Sequence, residues 1–361
     1  MYGPATAGAV GMQRPKTAQC VRAFGTARGA SIVSQRFVGA AMAAAIATVL
    51  LGAGAAAAQS QGAWPSRPIT MVVPFAPGGI ADITGRPLAQ AMTRTLGQPI
   101  VIENRPGAGG GVGMVHVARQ KPDGYTLLMA LSSIVTIPEA DRVNGRTPSY
   151  QMKDFTSVAL VSADPTVLIV RADSPWKSVA DLMKDARSRP GKITYSSSGI
   201  YGTLHVAVEM LAQSAGAQML HVPFGGGGPA MSALLGGQVE VTAQAPGVAS
   251  PHVKAGKVRL LGSWGNQRLK AFPDLPTMRE AGFDAEFYIW SGVFAPAGLP
   301  ADVLARVRTS VRDAVADPGF VKAMATMETP IMHLQGAEFD DFLQRDARRL
   351  ADVIRRMGKV E

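Results

Sequence analysis

Apolar positions in the first half of the chain form three short runs separated by polar and helical patterns. The runs at 69–75, 98–103 and 125–130 are rich in β-branched and aliphatic residues, which is typical of strands. Residues 80–96 have apolar side chains at helical spacing and end at Gly97, a common helix-terminating residue. This alternation predicts a parallel, doubly wound α/β sheet with ligands at the carboxyl ends of its strands.

A second alternating unit follows. Ser178 is the predicted N-cap of a helix over 178–189, with Asp181 three residues later in a variant of the capping box. Further strands are predicted at 192–195, 238–243 and 260–262, and amphipathic helices at 301–315 and 338–357. We expect the two final helices to pack on the first unit.

Two longer apolar runs connect these units. Residues 158–170 and 284–294 are each long enough to cross from one domain to the other. We therefore predict domain I from 59–164 and 287–361, and domain II from 165–286.

The loop after the first predicted strand has the chemistry of an anion site. Gly78 and Gly79 allow a sharp turn and close approach of the backbone. The helix that follows directs its free N–H groups and its positive dipole end to the same place. A carboxylate or phosphate fits there without a cationic side chain.

A second loop, SSSGIYGT at 196–203, precedes a helix predicted to run to Ala215. It combines hydroxyl groups, glycines and helix N–H groups, which also suit an anion; turn and capping residues without a ligand are the alternative. Gln244 follows the predicted strand at 238–243 and is a candidate to face the same cleft.

A third glycine-rich segment, NRPGAGGGVG at 104–113, does not fit the known phosphate-binding motifs. It lacks the Lys of a P-loop, and Met114 stands where a dinucleotide fingerprint requires Gly. We interpret this segment as a tight connection between a strand and a helix.

Composition supports a folded protein with a sizeable core, and the charge gives little support for nucleic-acid binding. Of 361 residues, 47% are hydrophobic and 17% charged, which allows a sizeable core. The net charge is +10, but residues 1–58 contain five basic and no acidic residues, which leaves +5 for the remainder. The remaining Lys and Arg are scattered, so we expect no nucleic-acid partner.

The N-terminus has the order of a secretory signal. Basic residues precede the apolar stretch at 37–51, and small residues follow it up to Ala58, after which we predict cleavage. At 15 residues the stretch is short for a membrane span, although an uncleaved anchor helix is the alternative. Cys20 is the single cysteine and lies in this segment, so an internal disulfide is excluded.

Metal and catalytic motifs are weak. The five histidines form no H-E-x-x-H pattern; His205 and Glu209 share a predicted helix face, as a structural pair or, alternatively, a metal or catalytic pair. A serine hydrolase using Ser197 or Ser198 would need a nearby base, and in sequence only His205 is close. We predict no enzyme activity, no cofactor and no metal.

Several longer motifs resemble one family, the Bug-type periplasmic solute receptors of tripartite tricarboxylate transporters. The resemblance covers about 64–358, and its motifs are PFAPGG at 74–79 with Asp82 and Arg86, ENRPGAGG at 103–110, KPDGYTLL at 121–128, PDLPT at 273–277, EAGF at 280–283 and FAPAG at 294–298.

The resemblance implies a two-lobed, type II periplasmic binding protein that closes on its ligand. The ligand would be a small carboxylate-containing metabolite, such as a di- or tricarboxylate or an aromatic acid, and the partners would be the membrane permease subunits. A monomer in the periplasm is expected. A receptor that presents its ligand to a membrane signalling protein, and an exported serine hydrolase, remain the alternatives.

The resemblance also implies the binding residues. In the family the first loop holds one carboxylate, and the second loop contributes from the other lobe. In this sequence the matching positions, together with two strand-end candidates, are Phe75, Ala76, Gly78, Gly79, Asp82, Ser132, Ser197, Ser198, Gly199, Thr203, His205 and Gln244. We expect Asp82 to hold the loop rather than contact an anion. Many relatives have Asp where Gln244 stands, so an amino-acid ligand is less favoured here.

Overall fold

The computed structural model describes residues 64–360, which contain eleven strands and ten α-helices. The strands are β1 (Ile69–Val73), β2 (Ile100–Asn104), β3 (Thr126–Leu131), β4 (Phe155–Pro165), β5 (Val167–Arg171), β6 (Thr194–Ser197), β7 (Leu220–Pro223), β8 (Val241–Gln244), β9 (Val258–Ser263), β10 (Tyr288–Pro296) and β11 (Ile331–Gln335). The helices are α1 (Ile80–Leu96), α2 (Gly111–Ala118), α3 (Ser133–Val143), α4 (Val179–Ser188), α5 (Thr203–Ala215), α6 (Gly227–Leu235), α7 (Pro246–Lys254), α8 (Ala301–Val315), α9 (Pro318–Thr326) and α10 (Ala337–Met357). The predicted signal segment, its cleavage site and Cys20 lie outside the described residues.

The strands form two sheets. The six-stranded sheet has the order β11-β4-β10-β3-β1-β2, and the five-stranded sheet has the order β7-β6-β8-β5-β9. Strand β1 is parallel to β2 and β3, as predicted, and β6 is parallel to β7 and β8. Strands β4, β5, β10 and β11 form antiparallel pairs, so both sheets are mixed.

The antiparallel pairs arise where the chain crosses between the sheets. Strand β4 ends at Pro165 in the first sheet, and β5 begins at Val167 in the second. Strand β10 returns in the opposite direction and pairs with β4 from Tyr288 to Pro296. We call the six-stranded sheet with α1–α3 and α8–α10 lobe I, and the five-stranded sheet with α4–α7 lobe II. The predicted domain boundaries at 164/165 and 286/287 stay a prediction.

Each lobe buries one side of its helices against its sheet. In lobe I, Met71, Leu127 and Met129 on neighbouring strands are fully buried. Trp290 on β10 is also buried; its indole N–H donates to Asp346 of α10 at 2.7 Å. That bond satisfies a polar group that burial would otherwise leave unpaired. The terminal helices therefore pack on lobe I.

Local sequence signals set several element ends. Helix α1 ends at Gly97, whose φ of +72° places it in the left-handed conformation. Ser178 caps α4 and accepts the N–H of Asp181 at 3.1 Å, as predicted. Strand β8 begins three residues later than predicted, because 236–240 turn back from α6, with the Gln238 N–H bonded to Ala233.

Candidate functional site

The predicted anion loop at 74–79 in lobe I lies against the glycine-rich loop at 224–228, which leads into α6 in lobe II, and backbone atoms make the contact. The Ala76 N–H, in lobe I, donates to the Gly225 carbonyl of lobe II at 3.0 Å. A Cβ atom on Gly79 would lie 3.2 Å from the Gly227 nitrogen, and one on Gly228 would lie 2.3 Å from the Pro77 oxygen. The lobes are therefore in a closed arrangement that depends on the absence of side chains at these positions.

A second glycine contact joins the lobes beside the first. A Cβ on Gly199 would lie 2.6 Å from the Gly109 nitrogen, and one on Gly109 would lie 2.8 Å from the Ile200 oxygen. Both glycines have positive φ, of +115° and +64°. The segment at 104–113, interpreted from sequence as a strand-to-helix connection, is thus also part of the contact between lobes, which sequence reasoning missed.

The loops enclose a small cavity of about 10 Å³, roughly the space that one water molecule requires. Three helices begin at its wall: α1 with Ile80 and Ala81, α5 with Thr203 and Leu204, and α6 with Gly227. The other residues at the wall are Phe75, Gly79, Leu131, Ser198, Gln244 and Ile289. Five of the predicted binding residues therefore meet at one cavity: Phe75, Gly79, Ser198, Thr203 and Gln244.

Asp82 holds the first loop, as expected from the sequence. Its carboxylate accepts the N–H of Gly78 at 3.1 Å, the Arg86 guanidinium at 2.7 and 3.1 Å, and the Asn104 amide at 3.0 Å. Burial raises the pKa of Asp82, but these hydrogen bonds outweigh it and hold the pKa below its ordinary value. The carboxylate is thus ionised and its oxygens are engaged within lobe I.

Asn104 is a residue of this network that sequence reasoning did not single out. Its amide N–H₂ bridges the Phe75 carbonyl at 3.0 Å and Asp82 at 3.0 Å, and its oxygen accepts Arg86 at 3.1 Å. The side chain therefore fixes the loop from strand β2. Its place at the end of a predicted strand, within ENRPGAGG, was the available signal.

Behind the second loop, Ser197 pairs with His221 rather than with His205. The Ser197 hydroxyl lies 2.5 Å from His221 Nε2 and accepts the Gly199 N–H at 3.1 Å. The only base considered from sequence was His205, whose Nδ1 instead accepts the Tyr201 N–H at 2.8 Å. The register of β6 on β7, which pairs Tyr195 with His221, brings this histidine under the loop.

The aromatic and imidazole rings behind the loop form a stack. The ring centroids of His205 and His221 are 3.9 Å apart and the two ring planes are almost parallel, and the Tyr195 ring centroid lies 5.0 Å from that of His221. Burial lowers the pKa of His221 to about 4, and burial together with His221 lowers that of His205 well below its ordinary value. Both rings are thus neutral at pH 7 and serve as packing and hydrogen-bonding groups.

Glu209, the predicted helix-face partner of His205, bonds elsewhere. Its carboxyl accepts the Tyr195 hydroxyl at 2.6 Å. Burial raises the pKa of Glu209, and the Tyr195 hydroxyl offsets part of this effect. Within residues 64–360, no group of three or more His, Cys, Asp or Glu side chains is arranged to hold a metal ion.

The other predicted residues lie near the cavity without lining it. Ala76 and Gly78 shape the first loop, while Gly199 contacts Gly109. Ser132 lies just before helix α3, and its buried hydroxyl bonds to no other described residue. Direct ligand contact by these residues, and by Ser197 and His205, stays a prediction.

None of the helices in the part of the chain that the structure covers is both long and apolar enough to cross a bilayer.

Comparisons with known proteins identify the family. The model of the family described as "Tripartite tricarboxylate transporter family receptor" matches residues 84–359. The chain is 38% identical to a UPF0065 protein in the tcbD-tcbE intergenic region of Pseudomonas sp. (strain P51). The alignment spans 272 residues and covers 74% of this chain and 79% of that protein.

Two solved structures share the fold over nearly their whole length. The periplasmic binding protein BugD is 32% identical with a TM-score of 0.76, and the match covers 81% of this chain and 98% of BugD. MatC from Rhodopseudomonas palustris, solved with bound malate, is 30% identical with a TM-score of 0.75, and the match covers 81% of this chain and all of MatC. The chain therefore belongs to the tripartite tricarboxylate transporter receptor family of periplasmic solute receptors.

Proposed function

We propose that this protein is an exported receptor that closes on a small carboxylate-containing metabolite and delivers it to the membrane subunits of a tripartite tricarboxylate transporter. The observation that carries the proposal is the convergence of α1, α5 and α6 on one cavity. Each helix start has free N–H groups and a partial positive charge of about half an elementary charge. None of the residues at the cavity wall has a charged side chain, so an anion meets no repulsion there.

The residues of the cavity wall also support a proposal for the class of ligand. Ile80, Leu131, Leu204 and Ile289 supply an apolar surface. The hydroxyls of Ser198 and Thr203 and the amide of Gln244 supply hydrogen bonds without charge. This combination favours an acid with an apolar body, such as a C4–C6 dicarboxylate or an aromatic carboxylate, and malate bound to MatC belongs to the first class.

Ligand entry requires the lobes to separate. A cavity of about 10 Å³ does not hold a dicarboxylate, so the contact between Gly79 and Gly227 has to open. The crossing strands β4–β5 and β10 are the connections about which the lobes can turn. A ligand that contacts both loops then holds the lobes together around itself by those added contacts, with a wider cavity than the one described above.

A thermal-shift screen of refolded protein tests this function. The panel contains C4–C6 di- and tricarboxylates, aromatic carboxylates, nicotinate and amino acids. A ligand at one hundred times its dissociation constant adds about 2.7 kcal/mol to the free energy of unfolding, which gives a measurable rise in Tm. We expect a rise with dicarboxylates or aromatic acids and none with amino acids; a rise with amino acids alone would contradict the proposed ligand class.

The variant Gly79→Val tests the first loop. Its side chain enters the contact with the Gly227 backbone, and overpacking of this kind costs about 1–3 kcal/mol, so Kd rises roughly tenfold or more. Gly111→Ala is the matched control, because a Cβ there makes ordinary contacts at 3.7 Å within lobe I. Unchanged affinity of Gly79→Val for a ligand that binds the wild type would contradict the assignment of this loop.

A further inference from the structure

Tyr201, in the second loop, has an unusual backbone conformation. Its φ is +54°, in the left-handed region that residues with a Cβ rarely adopt. Glycine, which adopts this conformation easily, occurs nearby at Gly199 and Gly202, yet the strained position itself carries a large aromatic side chain. Such an outlier persists only where surrounding interactions hold it, and it often marks a functional segment.

Both ends of Tyr201 are bound to lobe I. Its backbone carbonyl accepts the Thr136 hydroxyl of α3 at 2.9 Å. Its own hydroxyl donates to the Gly358 carbonyl at 2.7 Å and accepts the Asn144 amide at 3.0 Å and the Val360 N–H at 2.9 Å. One lobe II residue thus makes four hydrogen bonds to lobe I, and the phenolic oxygen uses its donor and both lone pairs.

Tyr201 is also tied to the loop that faces the cavity. Its N–H donates to His205 Nδ1 at 2.8 Å, and its ring packs edge-on against that imidazole at 5.8 Å. The next residues, Gly202 and Thr203, begin α5, whose first turn forms part of the cavity wall. The position of α5 is therefore coupled to α3 and to the end of α10 through this one residue.

We propose that Tyr201 is a positioning residue that fastens the second loop to lobe I in the closed form and thereby opposes the opening through which a ligand enters. The part on ligand entry rests on the proposed receptor function, whereas the fastening of the lobes does not. The hydrogen bonds exist only when the lobes are together, so they stabilise the closed arrangement relative to an open one. They lie outside the cavity wall and do not depend on ligand identity.

Distances between spin labels in the two lobes test the fastening. Cysteines at Val112 of lobe I and Leu220 of lobe II, both about half exposed, carry the labels in a full chain with Cys20→Ser. Tyr201→Phe removes three hydrogen bonds and keeps the ring. Because one net hydrogen bond changes an equilibrium constant about fivefold, we expect the ratio of open to closed molecules to rise at least about fivefold.

Two further variants make the result specific. Tyr150→Phe is the control, since the Tyr150 hydroxyl bonds within lobe I, to Ile134 at 3.0 Å, and should leave the distances unchanged. Thr136→Val removes the hydrogen bond from lobe I to the Tyr201 carbonyl. It should shift the label distances in the same direction as Tyr201→Phe, and it keeps the test valid if Tyr201→Phe folds poorly. The proposal is overturned if the wild type shows no short distance, if neither test variant shifts, or if Tyr150→Phe shifts as much.

Stopped-flow kinetics with malate as probe tests ligand entry. We expect Tyr201→Phe to raise the association rate at least about fivefold, because entry requires open molecules and the variant raises the ratio of open to closed molecules by that factor. Equal association rates would overturn the part on ligand entry. If malate does not bind the wild type, malate fails as the proposed ligand, while the label distances still decide the fastening.

Discussion

Asp164 provides the sharpest test of the structure at the crossing between the lobes. It lies on β4 next to Pro165, is fully buried, and neither carboxyl oxygen forms a hydrogen bond with another described residue. Burial raises its pKa to about 8, and the nearby hydroxyls of Ser162 and Thr329 offset only part of that effect. The carboxyl is thus largely protonated at pH 7, and Asp164→Asn replaces it with a group that never ionises.

The sign and size of the effect follow from proton linkage. In the unfolded chain Asp164 loses its proton near pH 3.9, whereas in the folded protein it keeps the proton up to about pH 8. Folding therefore takes up a proton between these values, and the free energy of unfolding falls as pH rises, by about 1.4 kcal/mol per pH unit. From pH 5 to pH 8 the wild type should lose about 4 kcal/mol that the Asn variant retains.

Urea unfolding at pH 5, 6, 7 and 8 measures this difference. Other titrating groups, such as His221, are common to both chains, so the difference between wild type and Asp164→Asn isolates Asp164. Asp284→Asn is the control, because that carboxylate is almost fully exposed. Its free energy of unfolding plotted against pH should run parallel to that of the wild type. Parallel curves for wild type and Asp164→Asn would refute the buried, neutral carboxyl at the crossing.

Two other changes test the framework of the site. Asp82→Ala leaves the Gly78 N–H, the Asn104 amide and Arg86 without their acceptor, so the free energy of unfolding should fall by about 2–3 kcal/mol, measured by urea titration; a loss below 0.5 kcal/mol would contradict the network. Ser178→Ala removes the α4 N-cap and should cost about 1 kcal/mol without changing ligand affinity; an altered affinity in calorimetry would contradict a purely local role.

The parts of the fold with local signals could be predicted from the sequence. Helix α1, its end at Gly97 and the Ser178 cap depend on residues within one or two turns, and all three were predicted correctly. The glycines of the first loop were recognised because close backbone approach requires the absence of a Cβ. The crossing near Pro165 was visible as an apolar run too long for one strand.

The contacts behind the loops could not be predicted, because they join residues distant in sequence. His221 reaches Ser197 through the pairing of β6 with β7, which no local pattern specifies. Tyr201 meets Gly358 across 157 positions, and its left-handed conformation occurs where sequence rules expect glycine. These contacts depend on how the lobes close, and only the three-dimensional arrangement reveals them.

We propose that the cavity binds a carboxylate through helix N-termini without a cationic side chain. Isothermal titration of refolded wild-type protein with the best acid of the panel and with its amide tests this most directly, because the two differ in charge but little in shape. We expect the acid to bind, and we expect replacement of its carboxylates by amides to weaken binding at least tenfold. Equal affinity for the acid and the amide would contradict an anion site at the meeting point of α1, α5 and α6.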